Sequence, residues 1–492
     1  MHEIELKFQV PAAQRVAVRR AVATASASTI RLQALYVDTP DRRLAAAGLA
    51  LRLRKEGARW VQTLKGPGDG LMHRLEHEVV LPRSRTVPTI DLALHAGSAL
   101  GSLLARALGD SGSMLGVVFS TDIRRNQRSI RLSGGTAVEL AFDEGEIRAG
   151  DARLAVCELA FELIRGTPSA VPALASRWVA RHGLWLDVRS KAERGERLAR
   201  GLSTSAAAKF SPPALHPAMS GDQALRAMLG AALNQVLANA SELAGNGGSV
   251  EHLHQCRVGL RRLRCVLRDF AALAGEPVPA DFADWSERLA QLFDRLGRAR
   301  DQDALCETLL PALQAAGAPH FEFLPESVGS EEPGAMLREA GCNRLWLDML
   351  VWLNAPPLQE GVASAPPLVA TARATLRRLQ RQVATRGARF ASLDEVAQHR
   401  VRKRLKRLRY GLDACAALFA RKAMQRRLAV LSPAQDALGN YNNLLVAKAL
   451  FESRLAGHPQ AWFALGWLAA QREGAVRACV KSLARVARLP RL

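Results

Sequence analysis

The chain begins with two glutamates and a lysine at alternating positions, Glu3, Glu5 and Lys7. In an extended strand alternate side chains point to the same face, so these three share one face and the apolar residues between them share the other. Carboxylates suit a hard divalent cation, and an ammonium group suits phosphate oxygens. Since an ordinary surface strand also alternates, the interpretation depends on whether the arrangement recurs.

The same alternation of an apolar and a charged face recurs through residues 1–200. Strands are predicted at residues 1–9, 30–38, 49–54, 60–65, 74–79, 114–125, 129–132, 137–142 and 154–163. Helices are predicted between them at residues 11–22, 89–107, 169–182 and 190–200. About eight strands can close into a barrel whose lumen is charged and whose apolar outer face is covered by helices. An exposed sheet with cross-strand ion pairs is the alternative.

A lumen lined by both acids and bases has a chemical use. Arginine and lysine give charge-assisted hydrogen bonds to the oxygens of a triphosphate. Clustered carboxylates repel one another and the substrate unless a divalent cation lies among them. The mixed lining therefore favours metal-assisted phosphoryl chemistry.

Motifs in this region follow one another in a recognisable order. They are Glu3-x-Glu5-x-Lys7, Tyr36-x-Asp38-Thr39-Pro40, Leu51-Arg52-Leu53-Arg54, Thr63-Leu64-Lys65, Arg74-x-Glu76-x-Glu78, Glu139-Leu140-Ala141-Phe142-Asp143-x-Gly145 and Ser190-Lys191-x-x-Arg194-Gly195. Together they resemble a CYTH domain, the triphosphate tunnel metalloenzyme family. The resemblance assigns residues 1–201 to this domain and implies an eight-stranded antiparallel tunnel interspersed with helices, an α+β fold.

The resemblance also implies roles for residues at matching positions, with Mg²⁺ or Mn²⁺ as the cofactor. The catalytic candidates are Glu3, Glu5, Lys7, Glu76 and Glu78. The substrate-binding candidates are Lys7, Arg52, Arg54, Lys65, Arg74, Arg125 and Lys191. The metal-binding candidates are Glu3, Glu5, Glu139, Asp143, Glu158 and Glu162. The choice of Arg125 over Arg124 depends on strand register. The family often has Glu-x-Glu-x-Glu in the late strand, whereas Ala160 takes the middle position here, so slower catalysis or a greater need for metal is expected.

A second region follows a linker at residues 202–220, which is rich in Ser, Ala and Pro. Residues 221–490 are predicted to be helical, and they contain an internal repeat. In each copy, positions i, i+3, i+7 and i+10 fall within an arc of roughly 80° on a helix. The first copy carries His254, Arg257, Arg261 and Arg264, and the second copy carries His399, Arg402, Lys406 and Arg409. Leucines form an adjacent stripe in both copies, which predicts two pseudo-symmetric helical bundles with basic ridges.

This half resembles a CHAD domain, a histidine-containing helical domain that accompanies CYTH domains. The resemblance implies that inorganic polyphosphate is bound by the eight residues of the two ridges, and Arg262 and Arg407 are plausible additions. The alternative interpretation is a pair of solvated helix faces. Solvated faces usually interleave acids for pairing, and these ridges have almost none.

Composition limits the remaining possibilities. The net charge is +22, which indicates an anionic partner. The seven cysteines lack the spacing of a metal site or a disulfide framework, and no apolar run approaches a membrane span, so a soluble cytoplasmic protein without a membrane partner is expected. The aromatic share of 5% and the absence of a base-reading motif argue against specific nucleic-acid binding.

The sequence thus predicts a metal-dependent enzyme that hydrolyses inorganic triphosphate or short-chain polyphosphate, joined to a polyphosphate-binding domain. A non-catalytic polyphosphate-binding protein, its tunnel weakened by Ala160, is one alternative. An adenylyl cyclase of the CYTH type is another, although no base-recognition pocket is identifiable. A nucleic-acid binder is the third.

Overall fold

The computed structural model describes residues 2–68, 70–109, 114–275, 277–304, 309–321, 332–356 and 367–490. Met1, with which the first predicted strand begins, and Cys306 lie outside these ranges. The chain divides into two compact units. The first contains Met1–Ala208, Val236–Leu253 and Pro333–Pro356, and the second contains Lys209–Gln235, His254–Glu332 and Pro357–Leu492.

Eight antiparallel strands of the first unit close into a barrel. They are β1 (His2–Gln9), β2 (Ser28–Asp38), β3 (Ala50–Glu56), β4 (Arg59–Pro67), β5 (His73–Val80), β6 (Gly116–Arg131), β7 (Ala137–Ala149) and β8 (Ala152–Arg165). The order is β5-β4-β3-β2-β6-β7-β8-β1, and pairing of β1 with β5 closes the ring. A short ninth strand, β9 (Trp185–Leu186), pairs with β1. The predicted eight-stranded tunnel is confirmed.

The outer face of the barrel is apolar and covered by helices. The helices of this region are α1 (Arg15–Val22), α2 (Arg43–Ala46), α3 (Ala99–Leu108), α4 (Ala170–His182) and α5 (Lys191–Ala199). Leu51 and Leu64 pack in one buried cluster with the leucines of α3. Phe8 meets Phe161 edge-on, and Phe161 meets Trp178 of α4 in the same way. Burial of each such side chain contributes about 1.5–3 kcal/mol, which drives the apolar faces outward against the helices.

Part of the lumen is apolar as well. The rings of Tyr36 and Phe119 stack with centroids 4.4 Å apart. They belong to a cluster with Ile147 and Val156, against which residues of α5 pack. Gly195 of α5 lies directly on the Phe119 ring, since a Cβ there would come within 2.3 Å of it. We call Tyr36, Phe119 and Gly195 the apolar plug. The charged part of the lumen lies beyond it.

One strand differs from the prediction. Residues 114–125 and 129–132 were expected to form two strands, because the polar stretch between them resembles a break. They instead form the single strand β6, which pairs with β7 without interruption from Ser120 to Arg131. Ladder hydrogen bonds to a long neighbour outweigh the local polarity.

The remaining helices are α6 (Gly221–Ala244), α7 (Val250–Asp269), α8 (Asp281–Ala304), α9 (Leu310–Ala315), α10 (Pro333–Arg338), α11 (Ala340–Leu353), α12 (Leu368–Gly387), α13 (Glu395–Ala414), α14 (Arg421–Arg454) and α15 (Ala461–Ala487). The helical second region is confirmed. Residues 202–220 contain neither helix nor strand. The domain limits expected from the sequence, residues 1–201 and 221–490 with a linker at 202–220, stay a prediction. In the described parts of the chain, no helix has the length and apolar composition needed to span a bilayer.

Two of these helices belong to the first unit. Helix α11 packs on α4, and its Asn343 is almost fully buried. The Asn343 side chain accepts a hydrogen bond from the backbone N–H of Leu186 at 2.8 Å and donates to the carbonyls of Leu337 and Glu339. The hydrogen bonds of this amide fix α10 and α11 to β9. Residues 333–356 therefore pack as part of the unit that contains the barrel.

Candidate active site in the barrel lumen

A row of carboxylates crosses the lumen. Strand register places Glu5 opposite Glu162, and Glu162 opposite Glu139 on the next strand. Glu3 lies two residues before Glu5 on the same face of β1 and completes the row. The side chains of Glu139 and Glu162 make no salt bridge or hydrogen bond with any residue in the described ranges. The row therefore holds more acid than its basic neighbours neutralise.

The pKa values of these groups reflect the crowding. Burial and the carboxylates of Glu3 and Glu5 raise the pKa of Glu162 to about 7. Burial and Glu5 raise the pKa of Glu3, and burial raises the pKa of Glu139. Burial opposes ionisation of Glu5 too, but Lys7 and Lys65 outweigh it and lower the pKa of Glu5 to about 2. The pKa values of Glu3, Glu139 and Glu162 are thus raised, whereas that of Glu5 is lowered.

A second acidic pair is fully compensated. Asp143 lies opposite Glu158, and both are about 1% exposed. Arg125 donates two hydrogen bonds to Asp143, at 2.7 and 2.8 Å, and Lys191 donates to Asp143 at 2.7 Å. Lys191 and Arg194 also donate to Glu158. Burial opposes ionisation, yet these bases hold the pKa of Asp143 well below its usual range and lower the pKa of Glu158 to about 2.

Ala160 separates the two acidic groups. It lies on β8 between Glu158 and Glu162, with Lys7 opposite on one side and Ala141 opposite on the other. At this level the three paired strands β1, β8 and β7 therefore present a lysine and two alanines and no carboxylate. The departure that the sequence shows at residue 160 leaves a gap in the acidic lining beside Lys7.

Basic side chains from β3 to β5 line the opposite wall. Lys65 donates to Glu3 at 2.7 Å and lies 3.0 Å from Glu76. Arg52 donates to the Tyr36 hydroxyl at 3.1 Å and lies 3.8 Å from Glu76.

The neighbouring groups continue this wall. Arg54 donates to Glu78 at 3.0 Å and to Glu56 at 2.8 Å. The Arg74 Nε lies 3.8 Å from Glu5 Oε1. Burial and the neighbouring Arg52 guanidinium lower the pKa of Arg54. The Glu78 carboxylate lies 3.0 Å from Arg54 and 3.9 Å from Arg52, so one anionic group already contacts both guanidinium groups.

The structure brings the tunnel residues predicted from the sequence to one lumen. They are Glu3, Glu5, Lys7, Arg52, Arg54, Lys65, Arg74, Glu76, Glu78, Arg125, Glu139, Asp143, Glu158 and Glu162 from the strands and Lys191 from α5. Arg125 faces Asp143, whereas Arg124 is exposed, as the register argument expects. The individual roles of these residues stay predictions.

Sequence reasoning gave no role to several residues that contact this site. Tyr36, Thr63 and Arg194 stand in the quoted motifs without an assigned function, and Glu56 was expected only at a turn. Thr63 donates to Glu78 at 3.1 Å. Arg194 could have been found, because it follows Lys191 by three residues on a helix and so shares its face.

A divalent cation was expected from the resemblance, and the donor set fits one by chemistry. The carboxylates of the row supply the hard oxygen ligands that Mg²⁺ and Mn²⁺ prefer. In the described residues, however, no three acidic, histidine or cysteine side chains converge as ready ligands. Lys7 forms an ion pair with Glu5 instead, and Lys65 forms one with Glu3. Asp143 and Glu158 are engaged by three bases, so among the described residues the carboxylates of this lining without a salt bridge are those of Glu139 and Glu162.

The second unit carries the two basic ridges on α7 and α13. The guanidinium groups of Arg257, Arg261 and Arg264 all lie over the Phe293 ring, 4.8 to 5.8 Å from its centroid. Gly297 leaves room for Arg257, since a Cβ there would meet Arg257 Nη2 at 3.0 Å. Cation–π contacts with one aromatic ring of α8 therefore hold these three arginines of the first ridge close together.

The second ridge is positioned by polar partners on α14. His399 Nδ1 lies 3.0 Å from Asn442 Oδ1, and Arg409 donates to Gln435 at 3.2 Å. Burial, followed by Lys403, lowers the pKa of His399. Arg402 and Lys406 lie on the same face of α13 by helical spacing.

Arg262 and Arg407, the two plausible additions, lie elsewhere. Arg262 donates to Asp413, and Arg407 donates to Asp269. Both bonds join α7 to α13. A ligand-binding role for these two stays a prediction, and the geometry favours a structural one.

Comparisons with known proteins match the two halves separately. The CYTH domain model matches residues 1–195, and the CHAD domain model matches residues 227–452. An inorganic triphosphatase of Haemophilus influenzae is 30% identical over 164 residues, which are 32% of this chain and 44% of that protein. The matched stretch thus spans less than half of that relative.

Two solved structures are similar to parts of the chain. A CHAD domain from the plant Ricinus communis is 28% identical, with 58% of this chain and 99% of that chain covered and a TM-score of 0.47. An adenylyl cyclase candidate from Hippeastrum with a dominant triphosphatase activity is 19% identical, with 41% and 96% covered and a TM-score of 0.29. Given the two family matches and the closed barrel, residues 1–195 form a CYTH domain and residues 227–452 form a CHAD domain.

Proposed function

We propose that the barrel hydrolyses inorganic triphosphate, or a similarly short phosphate chain, and that the helical region binds polyphosphate. The observation that carries the proposal is the lumen, where basic side chains from the strands and Lys191 from α5 face a row of carboxylates. The inorganic triphosphatase that is 30% identical supports the reaction class.

The wall of β3 to β5 supplies the recognition of the substrate. Arg52 and Arg54 lie on one face of β3, and Lys65 lies on the neighbouring strand. Each now contacts a carboxylate, which phosphate oxygens replace when the substrate enters. Charge-assisted bonds to several oxygens orient the chain and neutralise charge that develops on the leaving group.

The opposite wall supplies the carboxylates. Glu3, Glu5, Glu139 and Glu162 would hold Mg²⁺ or Mn²⁺, and the bound ion would supply polarisation of the phosphoryl oxygens. Glu162 and Glu139, which pair with no base in the described ranges, are also the groups that can orient the attacking water. Asp143 and Glu158 act differently, because they organise Arg125 and Lys191 toward the substrate.

The proposal is tested by phosphate release from inorganic triphosphate and from ATP, with Mg²⁺, with Mn²⁺ and with EDTA. The Glu3→Gln/Glu5→Gln variant is expected to lose activity. The matched control is Glu144→Gln, which removes an ion pair with Arg19 on the outer face of the same barrel and leaves the lumen intact. Release by the wild type that is no faster than by the lumen variant contradicts the proposal and leaves a binding protein without catalysis.

A further inference from the structure

Lys191 differs from the other substrate-binding candidates in how it reaches the lumen. The others lie on strands of the barrel, whereas Lys191 is the first residue of α5. It bridges Asp143 and Glu158. The position of its ammonium group therefore depends on what fixes the beginning of α5.

One side of that beginning is tied to β1. The backbone N–H of Asp187 donates to the Lys7 carbonyl at 3.0 Å. The Asp187 carboxylate accepts from Gln9 at 3.0 Å and from two nitrogens of the Arg189 guanidinium at 2.8 Å each. Ser190 and Glu193 then form a capping box that starts the helix.

The other side is tied to the end of α6. Glu242 Oε2 accepts from Arg189 at 3.1 Å and from Arg197 at 2.8 Å. The neighbouring Ser241 hydroxyl accepts from the Val188 N–H at 3.1 Å. The Glu242 side chain is 4% exposed and lies in the first unit, like the two arginines. One buried carboxylate thus holds α5 at both ends, since Arg189 precedes the helix and Arg197 lies in its last turn.

We propose that Glu242 is a positioning residue for the triphosphate site, acting on Lys191 through α5. The inference rests on the proposed function of the lumen. Glu242 lies within residues 227–452, which match the CHAD domain. The sequence of the second domain therefore supplies a component on which substrate binding in the first depends.

The mechanism is geometric. Without Glu242, Arg189 and Arg197 lose the carboxylate that holds them together, and the two ends of α5 are less firmly fixed, although its attachment to β1, the Arg194–Glu158 bond and the packing of its middle on Phe119 remain. The Lys191 ammonium then samples positions away from the substrate, so binding weakens. A carboxylate that merely stabilised the fold would lower the melting temperature without acting through Lys191.

The test is a double-mutant cycle in the full chain with Glu242→Gln, Lys191→Met and both together. Glu242→Gln is expected to raise KM for inorganic triphosphate about tenfold while kcat changes by less than about twofold. In the Lys191→Met background, Glu242→Gln is expected to have no further effect, because the group it positions is gone. Asp222→Asn, which removes an ion pair with Arg226 in the same helix, is the matched control and leaves KM unchanged.

The outcomes are separable. An active wild type in which Glu242→Gln leaves KM unchanged, or multiplies the effect of Lys191→Met, overturns this inference alone. A wild type that hydrolyses nothing contradicts the proposed function. In that case the same four proteins are compared by their affinity for inorganic triphosphate, measured by calorimetry. Additive effects of the two substitutions on that affinity overturn the inference. If Glu242→Gln does not fold, Arg197→Gln takes its place in the cycle, with a smaller rise in KM and the same non-additivity expected.

Discussion

Arg262 and Arg407 stand at corresponding places in the two copies of the helical repeat, and each donates to an aspartate on the helix of the other copy. Arg262 of α7 reaches Asp413 of α13 at 2.8 Å, and Arg407 of α13 reaches Asp269 of α7. Arg262 also stacks on the rings of Phe210 and Tyr410. The two repeats are therefore joined by reciprocal ion pairs, which explains why these arginines differ from their neighbours on the ridges.

Removing one partner of such a pair should destabilise the protein without weakening polyphosphate binding. Asp413→Asn leaves Arg262, which is 9% exposed, without its carboxylate. The expected cost is about 1–3 kcal/mol in the free energy of unfolding. Thermal and denaturant unfolding measure it, and exposed Asp436→Asn on α14 serves as the control. A large loss of polyphosphate affinity in Asp413→Asn would instead indicate that Arg262 belongs to the binding surface.

The ridges should bind polyphosphate through charge. Arg261→Gln and Lys406→Gln together are expected to weaken binding of long-chain polyphosphate. They should also reduce the slope of log affinity against log salt by about 0.7–0.9 for each phosphate charge that is no longer neutralised. Titration at several salt concentrations measures both. The exposed pair Arg421→Gln and Lys422→Gln at the start of α14 removes the same charge away from the ridges, and equal effects of both pairs would argue against a localised site.

The raised pKa of Glu162 has a consequence for stability. In the unfolded chain this carboxyl loses its proton near 4.5, whereas in the folded protein it keeps the proton to about pH 7. The folded state therefore binds more protons in this window, so its stability falls as pH rises from about 4.5 to 7. Glu162→Gln should flatten that decline and melt at a higher temperature than the wild type at about pH 8, with little difference at about pH 4.

Magnesium provides the complementary measurement. A cation that binds the ionised row stabilises the folded state by mass action. Added Mg²⁺ at about pH 8 should raise the melting temperature of the wild type and of the outer-face control Glu144→Gln. It should raise the melting temperature of Glu162→Gln much less. Equal shifts in all three proteins would place the cation away from Glu162.

Ala160 allows a gain-of-function test. Ala160→Glu adds a carboxylate between Lys7 and Ala141, in the gap of the acidic lining. We expect the Mg²⁺ concentration for half-maximal phosphate release to fall severalfold. Ala155→Glu adds the same charge at an exposed position on the same strand and should have no effect. If Ala160→Glu abolishes release instead, the space beside Lys7 is needed by the substrate.

Alternation along the strands was sufficient to predict which face of the barrel is charged. Glu3, Glu5, Arg52 and Arg54 could be assigned to the lumen because a period of two is a local property of the backbone. The same reasoning failed to join the two halves of β6, since the continuity of that strand depends on β7 rather than on its own residues.

Interactions between distant parts of the chain could not be predicted in this way. Glu242 resembles an ordinary acid near the end of a helix, and only the fold brings it to Arg189 and Arg197. Asn343 likewise gives no sign in the sequence that it fixes β9. Helical spacing placed Arg262 and Arg407 beside the ridges, but their partners were fixed by the packing of α7 on α13.

The apolar plug under α5 bears on how the proposed hydrolase would meet a long phosphate chain. The stacked rings of Tyr36 and Phe119, with Gly195 against the Phe119 ring, place apolar surface on that side of the lumen, which a hydrated polyanion avoids. We therefore expect a long polymer to enter by its terminus from the charged side, so that shortening from the end, one phosphate at a time, is faster than midchain scission.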